Sequence, residues 1–315
     1  MPDVPDEQLH PHLHINSYGS YLRRRFGFRI SKVNVDAGFT CPNRDGSKGT
    51  GGCIYCNNVS FSPKDTQSVI PLEEQMAAGM AYHRKRLGSE KFIIYFQKYT
   101  NTYGSVELLS ELYHRALDHP DVIGISVGTR PDSLSDDALE LLTQIARSKY
   151  VCLELGLQSM DDGILNRINR GHTLNDFVEA VNRAGSRNFD ICAHLIHGFP
   201  GESAADFLKT AGLIAGLPIN SLKLHQLHAV EGTELAELYR DGRFTPLTLD
   251  AYIATVADFL ELLPPRIAIQ RLYGSAPLAI SVAPQWGLKN NQMWYAIVNE
   301  LTRRGSWQGS KLANM

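Results

Sequence analysis

Strand-like and helix-like segments alternate along most of this chain of 315 residues, and this alternation restricts the fold more than any other feature. Apolar strands are predicted at 32–35, 91–96, 122–127, 151–157, 189–196 and 221–227. Helices are predicted at 72–87, 106–117, 135–147, 174–184 and 204–215, with another near Ile164. Short connections between each strand and the next helix require a parallel sheet covered by helices. We therefore expect an α/β fold, a partial (β/α)6 TIM-type barrel that stays open on one side.

The remaining sequence adds a segment at each end of this barrel. We expect three parts: a flexible N-terminal arm at 1–19, the partial barrel at 20–230 with a cysteine loop at 36–60, and a C-terminal α/β extension at 231–315. Within the extension, helices are predicted at 248–262 and 290–304, and a strand at 266–270. Because six strands leave the barrel incomplete, the extension is expected to close its open side.

Three of the five cysteines, Cys41, Cys53 and Cys56, lie in one glycine-rich loop directly after the first predicted strand. A CxxC pair and one more distant thiolate can hold three corners of a metal centre and leave a fourth position open. Thiolates are the usual ligands of iron–sulfur clusters, so the set indicates a [4Fe–4S] cluster with one open iron. A zinc site of three cysteines and a histidine, or a chance group of buried thiols, is the alternative. Cys152 and Cys192 lie in apolar strand segments and are expected in the core.

Polar side chains recur where the predicted strands end. Gln97 and Lys98 follow the second strand, Thr129 the third and Gln158 the fourth, while His225 lies near the end of the sixth. Parallel barrels carry their chemistry at the C-terminal ends of the strands, and the cysteine loop also follows a strand. The agreement favours a cluster over a zinc knuckle, which has no reason to lie at a barrel mouth.

Several longer motifs carry a family resemblance. They are VDAGFTCPNRDG at 35–46, GTRPD at 128–132, ELGLQS at 154–159, RGHT at 170–173, HLIHGFPGE at 194–202, KLHQLH at 223–228 and LLPP at 262–265. With these motifs the chain resembles radical S-adenosylmethionine (SAM) enzymes. It is similar to their YhcC/YtqA-like branch, which is related to the Elongator catalytic subunit and to oxygen-independent coproporphyrinogen dehydrogenase.

This resemblance implies two cofactors, a [4Fe–4S] cluster on Cys41, Cys53 and Cys56 and SAM, whose methionyl amine and carboxylate would chelate the open iron. One electron from the reduced cluster would cleave SAM to a 5′-deoxyadenosyl radical, which abstracts a hydrogen atom from the substrate. An external one-electron donor of the flavodoxin or ferredoxin type is also implied.

The resemblance also implies cofactor contacts at particular residues. Arg170 matches the arginine that pairs with the SAM carboxylate, for which the guanidinium fork is suited. Tyr55 would lie against the adenine of SAM, and Ile196 would pack on the face of the adenine. Ordinary core packing is the alternative for both residues. Gln158 and His194 match positions that contact the ribose.

The residues expected to receive the SAM amine differ from those of the relatives. Gln97 and Lys98 stand where relatives carry a Gly-Gly turn whose backbone receives the amine, and their backbone carbonyls could still serve. Gly128 stands where the Elongator relatives carry an acid. Either Glu154 or Thr129 is expected to take over this contact with the amine.

His225 and His228 are the candidate catalytic residues. They lie three positions apart at the end of the sixth strand, so at least one should face the cavity. There it would orient the substrate or move a proton, a structural hydrogen bond being the alternative.

Composition and charge give weaker indications of location and partner. No apolar run approaches the roughly 20 residues that span a bilayer, residues 1–8 lack the features of a signal peptide, and the cysteine usage fits a reducing compartment. We therefore expect a cytoplasmic protein with no membrane partner.

The net charge of −2 gives no general attraction to nucleic acid, although the basic cluster Arg23–Arg25 could touch phosphate or form a solvated helix face. A tRNA nucleoside, a small metabolite, or a non-catalytic zinc-stabilised RNA-binding role all stay open.

Overall fold

A computed structural model of the protein describes residues 14–57 and 70–312. Its centre is one curled sheet of seven parallel strands, in the order β1-β2-β3-β4-β5-β6-β8. These strands are β1 (Ile30–Val35), β2 (Lys91–Phe96), β3 (Val122–Thr129), β4 (Tyr150–Gln158), β5 (Asp190–His197), β6 (Ser221–Gln226) and β8 (Ala268–Arg271). Two short strands, β7 (Ala229–Val230) and β9 (Ser281–Ala283), pair antiparallel beside this sheet. The predicted partial barrel is confirmed, and the C-terminal part of the chain supplies its seventh strand.

Ten helices are found in the described part of the chain. They are α1 (Tyr18–Phe26), α2 (Leu72–Leu87), α3 (Val106–Leu117), α4 (Asp136–Ile145), α5 (Asp162–Arg167), α6 (Leu174–Gly185), α7 (Ala204–Ala215), α8 (Glu234–Arg240), α9 (Leu249–Glu261) and α10 (Asn290–Arg304). Many begin where a hydroxyl side chain accepts a hydrogen bond from the first turn, as at Ser105, Ser135, Thr173, Ser203 and Thr248. Within these residues, no helix is both long enough and apolar enough to cross a lipid bilayer.

The strands separate two chemically different spaces. In β4, Leu153, Leu155 and Leu157 pack into the main hydrophobic core with the helices, whereas Glu154 and Gln158 line the interior cavity. This division follows from the two-residue period of a strand, which sends successive side chains to opposite faces. A polar interior therefore lies inside an apolar shell.

Helix α1 covers the N-terminal ends of the strands. It contacts the edge strands β1 and β8, and its buried residues Tyr18 and Leu22 pack with Tyr150, Cys152 and Cys192. Both cysteines are fully buried, as expected for core residues. The helix thus closes the cavity at one end and leaves the C-terminal ends of the strands as its mouth.

The segment before α1 is also packed. Residues 1–13 of the predicted N-terminal arm lie outside the described residues. From His14 onward, Gln308 donates its backbone N–H to the His14 carbonyl and Ile269 donates to the Asn16 carbonyl, at 2.9 and 2.7 Å. The described end of the predicted arm is therefore held by the C-terminal part of the chain.

The basic cluster in the last turn of α1 is partly engaged within the chain. Arg25 forms an ion pair with Asp190 at 2.7 Å, and Arg24 donates to Asn16 at 2.8 Å. Within the described chain, Arg23 is the member of the cluster whose side chain makes no hydrogen bond or ion pair, which leaves it for any contact with phosphate.

Helix α2 lies so close to β1 that the contact point accepts only glycine. A Cβ atom at Gly79 would come within 2.4 Å of Val33 Cγ1, whereas a Cβ at Gly212 in α7 would meet nothing within 4 Å. Gly79→Ala should therefore destabilise the fold by about 1–3 kcal/mol through overpacking, despite the better helix propensity of alanine.

The matched variant Gly212→Ala should instead stabilise the fold by about 1 kcal/mol, because alanine gains helix propensity there without a clash. Urea unfolding followed by circular dichroism measures both changes. Equal midpoints for the two variants would show that α2 does not pack against β1 in this way.

Candidate active site

One cavity at the C-terminal ends of the strands, here called the barrel cavity, collects nearly all of the predicted site residues. It is lined by Cys41, Cys53, Tyr55, Cys56, Gln97, Lys98, Thr129, Glu154, Gln158, Arg170, His194, Ile196 and His225. His228 is the one predicted site residue that is not among its lining residues. The topology thus brings together residues from the loops after β1, β2 and α5 and from strands β3 to β6.

The cysteine loop is folded tightly on its own backbone. The N–H groups of Arg44 and Asp45 both donate to the Cys41 carbonyl, and Cys56 N–H donates to the Cys53 carbonyl at 2.9 Å. Gly52 has a φ of +81°, and a Cβ there would lie 2.7 Å from Arg44 Nε. Glycine is therefore required where the loop turns towards the CxxC pair.

The turn after α5 anchors this loop on the barrel. Ile54 N–H donates to the Ile168 carbonyl at 3.1 Å, and the Asn169 side chain donates to the Gly52 carbonyl at 2.8 Å. In return, Asn43 Nδ2 donates to the Asn169 carbonyl at 2.5 Å. The cysteine loop is consequently fixed to the segment that also carries Arg170.

Two side-chain donors reach the sulfur of Cys53. Asn43 Nδ2 lies 3.9 Å and Arg170 Nη1 lies 3.8 Å from Cys53 Sγ. Donors of this kind stabilise a thiolate, which is the form of cysteine that binds metal. The five cysteines are thiols rather than disulfides, and burial raises the pKa of the Cys56 thiol, so a bound metal has to displace its proton.

Arg170 is buried and held on two further sides. Its Nε donates to His172 Nε2 and its Nη2 to the Gly156 carbonyl, each at 2.9 Å. Arg130 in turn donates to the Arg170 carbonyl at 2.7 Å. These contacts orient the guanidinium towards Cys53 at the edge of the cavity, where the predicted cofactor carboxylate would lie.

An apolar wall lies next to the cysteines. The rings of Tyr55 and Phe199 are 5.8 Å apart, and both residues share a hydrophobic cluster with Ile196 and Leu227. Tyr55 and Ile196, the two predicted adenine contacts, therefore belong to one surface of the cavity. A flat aromatic base would fit against such a surface.

Glu154 makes a different set of contacts from the one predicted for it. Its Oε1 accepts hydrogen bonds from Lys32 and Ser126, and its Oε2 accepts from Lys223 and His194. The carboxylate is fully buried, and four donors use its lone pairs. Burial alone would raise the pKa of Glu154, but Lys223 and Lys32 hold it well below its usual value. Glu154 is therefore engaged by the protein itself and has no lone pair left for a cofactor amine.

His194 is neutral near pH 7, because burial and Lys223 lower its pKa to about 4. Its Nε2 lies 2.7 Å from Glu154 Oε2, so this nitrogen carries the proton of the neutral ring. The other candidate for the amine, Thr129, lines the cavity with its hydroxyl 2.6 Å from that of Thr102.

The remaining predicted contacts lie around the mouth of the cavity. Lys98 forms an ion pair with Asp36 at 2.7 Å, so the positive charge of Lys98 is balanced within the protein. Gln158 has a φ of +73° at the end of β4, an uncommon conformation for a residue with a side chain. Such positions often belong to functional sites, and the side chain of Gln158 is here directed back over Gly156.

The two histidines of β6 differ in position. His225 lines the cavity, and its Nε2 is buried without a hydrogen-bond partner in the described chain. Strand β6 ends at Gln226, so His228 lies beyond the strand. The alternation of side chains between the two faces of a strand therefore does not determine whether His228 faces the cavity. The pKa of both rings is lowered by burial, which keeps them neutral.

Charged and aromatic residues that were not predicted from the sequence also belong to this site, among them Lys32, Tyr95, Lys223 and Arg271. A lysine inside an otherwise apolar strand could have identified Lys32 and Lys223, because a lysine is rarely buried without a partner. Arg271 lies one residue beyond the predicted strand 266–270, and its place beside the cavity follows only from the pairing of β8 with β6.

Comparison with known proteins identifies the family. A family model described as the radical SAM superfamily matches residues 44–214, and one described as the radical SAM C-terminal domain matches residues 219–303. The uncharacterised protein YtqA of Bacillus subtilis (strain 168) is 36% identical over 292 residues, which cover 92% of this chain and 90% of that protein.

Two further relatives are more distant. The tRNA uridine(34) acetyltransferase of Dehalococcoides mccartyi (strain CBDB1) is 28% identical over 54% of this chain and 36% of its own. The solved structure of Methanocaldococcus infernus Elp3 with an N-terminal deletion shares the fold, with a TM-score of 0.66 and 19% identity, over 89% of this chain and 64% of that one. Since the superfamily model covers more than half of the chain and YtqA aligns along most of it, this protein belongs to the radical SAM superfamily, whose enzymes use a [4Fe–4S] cluster and SAM.

Proposed function

We propose that this enzyme holds its cluster on Cys41, Cys53 and Cys56 and reductively cleaves SAM in the barrel cavity. The observation that carries the proposal is the meeting of three thiols at one cavity, with Asn43 and Arg170 donating to the sulfur of Cys53. The bound cofactors would supply a 5′-deoxyadenosyl radical for hydrogen abstraction.

The chain's own residues would bind and orient these cofactors. Arg170 would pair with the SAM carboxylate, and Tyr55 and Ile196 would hold the adenine against the apolar wall. Gln158 and His194 would contact the ribose, and the Thr129 hydroxyl would accept from the amine, because the carboxylate of Glu154 is already engaged. Helix α1, which closes the far end of the cavity, would limit the access of water.

A tRNA nucleoside is the first candidate substrate. The proposal is supported by the similarity to a tRNA uridine(34) acetyltransferase over 54% of this chain and by the fold shared with Elp3. Membership of an enzyme superfamily gives no support to the non-catalytic zinc-stabilised alternative.

A small metabolite is the second candidate, and two observations favour it. The net charge is −2, and Arg24 and Arg25 of the basic cluster are engaged by Asn16 and Asp190. These contacts reduce the positive surface that would otherwise attract a polynucleotide. For either substrate the enzyme would take its electron from a flavodoxin or ferredoxin.

Anaerobic incubation of the reconstituted enzyme with SAM and reductant would distinguish the two candidates. Bulk tRNA and a metabolite extract are supplied separately, and mass spectrometry follows which species changes. A modified nucleoside formed only with SAM supports tRNA, and a changed metabolite supports the second candidate. Absence of 5′-deoxyadenosine in every mixture would contradict the proposed function itself.

The cysteine assignment predicts a sharp division among the five thiols. Replacing Cys41, Cys53 or Cys56 with Ala should abolish iron retention and SAM cleavage, because each removes a cluster ligand. The matched controls Cys152→Ala and Cys192→Ala should keep their iron, because both thiols are buried in the core beneath the cavity. Iron and sulfide analysis after anaerobic reconstitution checks this, and a requirement for Cys152 or Cys192 in place of one of the trio would overturn it.

The role of Arg170 predicts a loss of cofactor affinity. Arg170→Ala should weaken SAM binding by about tenfold to hundredfold, because a desolvated carboxylate loses a charge-assisted partner worth about 1.5–3 kcal/mol. Calorimetric titration of SAM into the anaerobic protein measures the change, and iron content serves as the control because Arg170 also contacts Cys53. Normal iron with unchanged SAM affinity would assign the carboxylate to another residue.

A further inference from the structure

One cation of the barrel cavity has no partner among residues 14–57 and 70–312. Arg271, at the end of β8, lines the cavity beside its register partner Lys223 on β6. Across the described residues, Arg271 makes neither a hydrogen bond nor an ion pair within the chain. A partly buried guanidinium with five donors and no acceptor is an incomplete arrangement.

The other cations that line the cavity are all engaged. Lys98 pairs with Asp36, Arg130 with Asp132, and Lys223 with Glu154. Arg44 donates to the Cys56 carbonyl, and Arg170 has His172, the Gly156 carbonyl and Cys53. Among the residues that the structure describes, Glu154 is the only carboxylate that lines the cavity, and it is already shared by two lysines. The positive charge of Arg271 is therefore in excess.

A second unsatisfied group lies on β6, the strand that pairs with β8. The Nε2 atom of His225, on the same strand as Lys223, is buried and has no hydrogen-bond partner in the described chain. Arg271 is the register partner of Lys223, and His225 lies two residues further along the same face of β6 and lines the same cavity. Burial and the charge of Arg271 lower the pKa of His225, so the ring is neutral. A neutral imidazole nitrogen that carries its proton would donate to an acceptor placed in the cavity.

We propose that Arg271, with His225 and Lys223, binds an oxyanion of the substrate, either a carboxylate or a phosphate group. The guanidinium fork binds such a group bidentately, and the buried His225 nitrogen provides a further donor. This inference rests on the proposed function and deepens it, because it specifies the chemical class of the substrate and the end by which it is held.

The oxyanion site is built from β6 and β8, whereas the cysteine loop follows β1 and is anchored by the turn after α5. Arg271 pairs in register with Lys223 on β6, whereas Arg170, from the turn after α5, reaches the sulfur of Cys53 at 3.8 Å. A substrate bound through its anionic end would therefore present the rest of its structure to the part of the cavity that holds the cofactors.

The test uses the reconstituted enzyme with SAM bound, and its probes are inorganic phosphate and ¹³C-labelled acetate. Nuclear magnetic resonance line widths of each probe are followed through titration with wild type, Arg271→Gln and Arg271→Lys. Arg23→Gln is the control, because it removes one exposed positive charge far from the cavity. Melting temperatures show that each variant is folded.

At least one probe should bind wild type and Arg23→Gln saturably, bind Arg271→Gln at least tenfold more weakly, and keep most of its affinity in Arg271→Lys. The preferred probe decides between phosphate and carboxylate. Equal affinity in Arg271→Gln and wild type, or no binding of either anion, would overturn the proposal. An equally large loss of SAM affinity in Arg271→Gln would also overturn it, because Arg271 would then serve the cofactor carboxylate.

The same samples separate this inference from the proposed function. Iron content and 5′-deoxyadenosine release of the wild type report on the cluster and on SAM cleavage without any added anion. A wild type that cleaves SAM but binds no oxyanion through Arg271 refutes the inference alone. One that binds the oxyanion but never cleaves SAM refutes the proposed function.

Discussion

Backbone hydrogen bonds between neighbouring strands form a curled sheet that stays open between its two edge strands. The buried carboxylate of Glu154 connects strands of this sheet that are not neighbours. Glu154 on β4 accepts from Lys32 on β1, His194 on β5 and Lys223 on β6. Lys32 also donates to Gln270 on β8 at 2.8 Å, so side chains connect the two edge strands of the sheet. Removing one of the lysines would leave the buried carboxylate with uncompensated charge, which destabilises the fold. Removing the carboxylate would likewise leave each buried lysine with an uncompensated charge. The curl of the half-barrel therefore depends on this network being complete.

The same network divides the cavity into two chemical environments. The cysteine loop, Arg170 and the wall around Tyr55 form one part, whose donors and apolar surface suit a cluster and a nucleoside cofactor. Strands β6 and β8 form the other part, in which Arg271 and His225 keep unused hydrogen-bonding capacity. Cofactor and substrate would meet between them, above the neutral His194 and the shielded Glu154.

Much of this arrangement could be predicted from the sequence, since local pattern determines it. Apolar periodicity located the strands and helices of the barrel, and ligand chemistry singled out Cys41, Cys53 and Cys56. The Glu154 network could not be predicted, because Lys32 and Lys223 come from distant segments and only the curl brings them together. Glu154 or Thr129 was expected to bind the amine, because Gly128 stands where the Elongator relatives carry an acid. The role of α1 as a cover for the N-terminal ends of the strands likewise depends on tertiary contacts.

The central claim is that SAM binds at a cluster held by the three cysteines in the barrel cavity. Pulsed electron paramagnetic resonance of the reduced, reconstituted enzyme with SAM labelled with ¹⁵N at its amine tests this most directly. The account predicts a nitrogen hyperfine coupling to the cluster, present in wild type and absent when Cys53 is replaced by Ala. A stable reduced cluster that shows no coupling to labelled SAM, or a protein that retains zinc in place of iron, would contradict it.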